Sequence, residues 1–194
     1  MTRKLSRDHY FQKAKQDRYA ARSVYKLEEM DKRFKLLRQG TRVLDLGASP
    51  GSWSQYAGKR IGPQGRIVAL DLKPPKEEIP GVRWIVADVD TLGPEELLAG
   101  GELFDVVLSD MAPNTTGNKN VDAIRSVELA RSAFRLAGEL LKPKGAAVVK
   151  VFMGQEFQEL LAEVKSRFAR VKSVKPKASL KESREMYLLA WEPK

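Results

Sequence analysis

Five short apolar runs, rich in β-branched residues, constrain the fold of this 194-residue chain more than any other feature. They are "RVLDL" (42–46), "RIVAL" (66–70), "RWIVA" (83–87), "FDVVLS" (104–109) and "AAVVKVF" (146–152). Each is short for a helix and too continuously apolar for a strand with one wet face. Each therefore reads as a strand buried on both sides. Helical spacing fills the gaps. Residues 20–38 carry Val24, Leu27, Met30, Phe34 and Leu37 at three-to-four intervals. Residues 122–141 carry Ile124, Val127, Leu129, Phe134, Leu136 and Leu141, ended by "KPKG", and a further helix is expected over 155–168. Strands alternating with helices predict a parallel α/β sheet. Two more strands close the chain: "RVKSVK" (170–175), expected at an edge, and "REMYLLAWE" (184–192). No repeat or linker divides the sequence, so a single domain is expected over 1–194.

Open α/β sheets bind ligands beyond the carboxyl ends of their strands. The stretch "VLDLGASPGSWSQY" (43–56) lies at such an end. Gly47 and Gly51 let backbone amides approach a ligand, and the next helix presents its N-terminus. The spacing is G-x-x-x-G, which is not the G-x-G-x-x-G of a pyrophosphate loop. Asp71 closes the second strand, where a carboxylate can accept both hydroxyls of an adenosine ribose. Asp88 closes the third, within reach of an adenine amino group. Either acid could instead cap a helix. Together they outline an adenosine site without a phosphate cradle, which S-adenosylmethionine fits. Trp53 either flanks that site or belongs to the core.

The fourth strand ends in "LSDMAPN" (108–114), an aspartate followed by a chain-stiffening proline, as at an active-site turn. Lys150 interrupts the apolar run of the fifth strand. It either snorkels to solvent or points into the cleft beside Asp110. Lys26, in "SVYKLEEMD", and Glu185, opening the last strand, would pass as solvated surface charges if taken alone.

The net charge of +10 is unevenly spread. Residues 1–40 hold 12 basic against 5 acidic residues, and 165–194 hold 9 against 3, around a slightly acidic body. Two basic ends that meet in space would form a face for a polyanion. The chain has no cysteine, and its only histidine is His9. That excludes disulfides, thiol catalysis and histidine-clustered metal sites, and it fits a cytoplasmic protein. No apolar run approaches the roughly 20 residues of a membrane span, and the basic start lacks the apolar core of a secretory signal.

Taken together, "DLGASPGSWSQY", "SDMAPN", "VVKVFMG" and "SREMYLLA" resemble, in order, the motifs of the FtsJ/RrmJ family of RNA 2′-O-ribose methyltransferases. The likeness runs from about "YFQKAKQDRYAARSVYKL" to "SREMY". It implies a single-domain, Rossmann-like S-adenosylmethionine-dependent fold. That fold is a seven-stranded, mostly parallel sheet with an antiparallel last strand and helices on both faces. It implies a catalytic tetrad of Lys26, Asp110, Lys150 and Glu185, and cofactor contacts from Gly51, Trp53, Asp71, Asp88 and Asp110. Ser49 and Ser52 stand where alanine and glycine are common in the family.

The implied reaction moves a methyl group from a sulfonium to a ribose 2′-oxygen and needs no metal. Lys150 would act as a base, or would orient the hydroxyl and stabilise developing oxyanion charge. RNA would lie across a basic helical extension at 1–40, with Lys4, Arg7, Lys13, Lys15, Arg18 and Arg22 as phosphate contacts. The compact form resembles bacterial members that act on a uridine of 23S ribosomal RNA, so this RNA or the assembled large subunit is the expected partner of a monomer. Transfer RNA is the alternative substrate. A non-enzymatic RNA-binding module would lack a tetrad member, and a nicotinamide-dependent reductase would need the missing phosphate loop.

Overall fold

In the computed structural model, residues 9–98, 101–180 and 182–194 are described in full, and residues 2–8 by their backbone. One seven-stranded sheet runs through the molecule. Its strands are β1 (Arg42–Leu46), β2 (Arg66–Asp71), β3 (Val82–Val86), β4 (Phe104–Ser109), β5 (Leu141–Phe152), β6 (Phe168–Val174) and β7 (Glu185–Pro193). The order is β3-β2-β1-β4-β5-β7-β6. Strands β1 to β5 are parallel, and β7 inserts antiparallel between β5 and β6. The helices are α1 (Thr2–Gln16), α2 (Val24–Phe34), α3 (Ser52–Ile61), α4 (Pro94–Leu97), α5 (Lys119–Leu140) and α6 (Phe157–Arg167). Among the described residues no helix is long and apolar enough to cross a membrane.

The two-residue period of the strands sorts their side chains between two cores. Leu44, Leu46, Val107, Val149 and Val151 pack with α5 and α6. Val43, Leu108, Val148, Tyr187 and Leu189 pack with α2 and α3. By the same alternation, Lys150 and Glu185 share the face of α2, which brings Lys26 above them. Helix α2 therefore belongs to the core of the sheet, through fully buried Val24 and Leu27.

Three expectations are corrected by the packing. The run at 83–87 is not buried on both faces: β3 is an edge strand, and Val86 is 58 % exposed. The helix expected over 20–38 is confined to Val24–Phe34, because Lys35 adopts a left-handed conformation (φ 56°) and donates its N–H to the Asp31 carbonyl. The strand expected over 146–152 starts earlier, at Leu141, and bulges through "KPKG" before Ala146 resumes pairing with Val106. Leu141 takes extended geometry at once and pairs with Phe104, so β5 begins where the helix ends. The edge position of 170–175 and the antiparallel last strand are as expected.

The chain turns from β1 to β2 on one side of the sheet and returns to β4 on the other side of β1. That reversal leaves a crevice between the carboxyl ends of β1 and β4, which is where ligands bind in such sheets. The backbones close tightly there. Gly47 has φ +72°, and a Cβ on it would lie 2.5 Å from Met111 Cγ and 2.9 Å from Met111 Cα. Only glycine fits this approach without moving the backbone.

Candidate active site

A cleft of about 440 Å³ opens at this crevice, lined among others by Gly47, Ser49, Asp71, Asp88, Asp110 and Met111. Its charge is mainly acidic: Asp71, Asp88, Asp90 and Asp110 face one lysine, Lys73. The Asp71 carboxylate ties the loop after β1 to its own turn, accepting the backbone N–H groups of Ser49 and Lys73, both at 2.9 Å. Of the residues expected to contact a cofactor, Asp71, Asp88 and Asp110 are on the cleft wall. Gly51 and Trp53 are not. Gly51 (φ +109°) sits at the start of α3, packed against Ile79. Trp53 is 2 % exposed, stacks 5.9 Å from the Tyr187 ring and donates its indole N–H to the Ser23 carbonyl at 3.0 Å. It supports the site from within the core because α3 turns it onto the sheet.

The four charged residues of the expected tetrad converge as two ion pairs. Lys150 Nζ lies 3.0 Å from Asp110 Oδ1 and donates to the Asp110 carbonyl at 2.5 Å. Lys26 Nζ contacts both oxygens of Glu185, at 2.7 and 2.8 Å. The two pairs meet at Tyr187. Its hydroxyl donates to Asp110 Oδ1 at 2.6 Å, and Lys26 Nζ lies 5.8 Å from the ring centroid. Cross-strand register explains the convergence: Lys150 pairs with Tyr187, and Phe152 pairs with Glu185. Lys150 is 7 % exposed, so the strand holds it in the protein and not as a snorkelling surface residue.

Burial alone would raise the Asp110 carboxyl above its usual range. The ammonium of Lys150 first, then Lys26 and the Tyr187 hydroxyl, outweigh burial and hold it below that range. Burial, reinforced by the charges of Asp110 and Glu185 and the hydrogen bond to Asp110, keeps the Tyr187 phenol strongly protonated. A third acid behaves in the opposite way. Asp45, on β1, accepts a hydrogen bond from Ser54 Oγ at 2.6 Å, while its Oδ1 is buried without a partner. Burial drives its carboxyl up to about 7, against the Ser54 bond and with help from Asp110 and Asp71. One of three neighbouring acids is thus neutralised by a lysine and another by a proton, which limits repulsion beneath the cleft.

Sequence reasoning missed Tyr187 and Asp45. Tyr187 had a readable signal, since it lies two residues after Glu185 in a strand and so on the same face. Asp45 carried the signal that marks Lys150, a charge inside an apolar run, here "RVLDL". Among the proposed RNA contacts, Lys13 lies 4.6 Å from the Tyr25 ring and Lys15 lies 4.8 Å from Phe11, while Arg18 is exposed and Arg22 half-buried. Lys4 and Arg7 lie outside the residues whose side chains are described.

Comparison with known proteins agrees with this geometry. The chain is 49 % identical over 191 residues to the ribosomal RNA large subunit methyltransferase E of Desulfatibacillum aliphaticivorans, covering 98 % of this chain and 92 % of that one. A crystal structure assigned as a ribosomal RNA methyltransferase from Plasmodium falciparum superposes with a TM-score of 0.79 at 29 % identity, covering 90 % of this chain and 98 % of the other. Human methyltransferase-like protein 13, solved in complex with SAH, shares the fold at a TM-score of 0.61 and 16 % identity, over 84 % of this chain and 82 % of that one. Residues 19–192 match the family of FtsJ-like methyltransferases. The resemblance read from the four motifs therefore holds, and the chain belongs to the FtsJ-like methyltransferases.

Proposed function

We propose that this chain transfers the methyl group of S-adenosylmethionine to a ribose 2′-hydroxyl of large-subunit ribosomal RNA. One observation carries the reading. An acid-lined cleft for a cationic adenosine ligand meets a buried lysine at a shared residue, Asp110. The names of the curated relatives supply the RNA.

The lining fits this cofactor on chemical grounds. An adenosine offers hydroxyl and amino donors to Asp71 and Asp88, and a sulfonium is stabilised by nearby carboxylates. A dinucleotide would bring a pyrophosphate against four acids with a single lysine. When bound, the cofactor supplies an electrophilic methyl group. The chain's own residues do the rest. Lys150 uses two of its three N–H donors on Asp110, leaving the third for the ribose oxygen. In that position it orients the hydroxyl and stabilises negative charge as the hydroxyl proton passes to solvent water. Asp110 and Tyr187 fix Lys150, and the Lys26–Glu185 pair borders the same space. Alignment of oxygen, carbon and sulfur accounts for much of the remaining acceleration.

Calorimetric titration tests the cofactor assignment. S-adenosylmethionine should bind and NADH should not. Asp71→Ala should weaken S-adenosylmethionine about tenfold or more, the scale of losing a hydrogen bond to a charged group. Preferential binding of NADH would refute the assignment.

A further inference from the structure

The two basic ends of the sequence do meet, at the end of the sheet opposite the catalytic pair. A groove of about 970 Å³ is walled by the last turn of α2, residues 35–41, the start of β5 and the edge strand β6. Arg33, Lys35 and Arg38 enter it from the N-terminal part of the chain, Lys144 from β5 and Lys172 from β6. Among the described residues, none of these five cations has a carboxylate partner. The groove's other two basic residues do, Lys142 with Asp105 at 2.7 Å and Arg170 with Glu192 at 2.8 Å.

The cations are organised. Phe34 and Trp191 lie 5.7 Å apart on the groove wall. Arg33 stacks 4.9 Å from the Phe34 centroid, Lys172 lies 5.7 Å from the same ring, and Arg170 lies 5.6 Å from Trp191. Ring faces thus hold charged groups at the wall with N–H donors still exposed. The backbone beneath is fixed by buried Asp31, which accepts from the Leu37 N–H at 2.8 Å, Tyr56 Oη at 2.9 Å and Arg60 Nε at 3.1 Å. Five unpaired like charges in one groove repel one another, and a ligand with repeated anionic groups relieves this. The groove's size and its walls from α2, residues 35–41, β5 and β6 suit several phosphates in series better than one.

Its position is separate from the chemistry. Lys144 lies in the bulge that precedes Ala146, and Ala146 and Lys150 are four residues apart on β5, or about 13 Å along the strand. Arg33 is seven residues beyond Lys26 on α2, or about 10 Å along the helix. We propose that this groove is a second RNA-binding surface, gripping the phosphate backbone of ribosomal RNA more than about 10 Å from the methylated nucleotide. The inference rests on the reading that RNA is the substrate. The groove would act as an anchor, adding affinity for a large folded RNA without touching the reacting ribose.

The test uses full-length large-subunit ribosomal RNA transcript as the probe. Arg38, Lys144 and Lys172 are exposed, so the triple variant R38Q/K144Q/K172Q should keep its melting temperature. Its dissociation constant should rise about tenfold or more, and the slope of log affinity against log salt should shrink by about 2 to 3, near 0.7–0.9 per phosphate contact. Methylation at saturating RNA should keep its kcat. The charge-conserving variant R38K/K144R/K172R should bind like the wild type. An unchanged dissociation constant and slope in the glutamine variant would overturn the proposal. So would RNA affinity that is unchanged while affinity for the assembled subunit falls, which would identify an acidic protein as the occupant. Failure of the methyltransferase reading is separately visible, as a wild-type protein that binds the transcript but leaves its ribose hydroxyls unmodified.

Discussion

Lys150→Ala should lower the rate of methyl transfer by about two orders of magnitude or more, the scale of losing one acid–base or oxyanion-stabilising group. Affinity for S-adenosylmethionine should change little, because the cleft wall that carries Asp71 and Asp88 does not include Lys150. The loss should fall on kcat, since the contact to the reacting oxygen strengthens as charge develops. Lys150→Arg separates two roles. Arginine keeps a charge but cannot accept a proton near neutral pH. Activity well above that of Lys150→Ala would support the charge-and-orientation role drawn from the two Asp110 contacts. Activity no better than Lys150→Ala would favour proton transfer. A nearly fully active Lys150→Ala would remove the lysine from the mechanism. Single-turnover measurements at saturating RNA and cofactor give the comparison directly.

Asp45 governs a large and separable effect on stability. In the unfolded chain its carboxyl titrates near the ordinary value of about 3.9. In the folded protein burial holds it protonated up to about 7. Between those values the native state carries a proton that the unfolded state has lost. Raising the pH through that window therefore destabilises the native state. Three pH units correspond to about 4 kcal/mol. Asp110, with its carboxyl held low, acts in the opposite direction, losing its contribution as pH falls. The Asp45→Asn variant isolates one group from the other. The amide keeps an acceptor for Ser54 Oγ and cannot ionise. Urea denaturation at pH 4, 5.5, 7 and 8 should show the wild type losing about 4 kcal/mol relative to Asp45→Asn by pH 7, with little further change above pH 8. A difference that stays constant across this range would mean that Asp45 is ionised, or not desolvated, at every pH.

The sheet was legible because its strands are continuous apolar runs, and each of the five runs is a strand. The one misjudged environment, at 83–87, has the composition of a buried strand but sits at the sheet edge. Helix ends were less legible. The end of α2 depends on a left-handed Lys35, and the end of α5 on pairing between Leu141 and Phe104, a tertiary contact. At the site, Lys150 announced itself as a charge in an apolar run. Lys26 and Glu185 were indistinguishable from surface residues until strand register and α2 packing brought them together at 2.7 Å. The charge count located two basic ends, but Lys13, Lys15, Arg18 and Arg22, expected to contact RNA, do not line the groove. It could not foresee a groove at the end of the sheet opposite the catalytic pair, because α2 carries the chain from Lys26 at the catalytic end to Arg33 at the other.

The central claim is that the methyl group reaches a ribose oxygen of large-subunit ribosomal RNA. Mapping 2′-O-methylated nucleotides in total RNA from a strain lacking this gene tests it most directly. The strain should be complemented in turn with the wild-type gene and with Lys150→Ala. The account predicts that a 2′-O-methyl mark in the large-subunit RNA disappears on deletion, returns with the wild type and stays absent with Lys150→Ala. A large-subunit RNA with all its 2′-O-methyl marks intact after deletion, or a lost mark that proves to lie in transfer RNA or on a base, would contradict it.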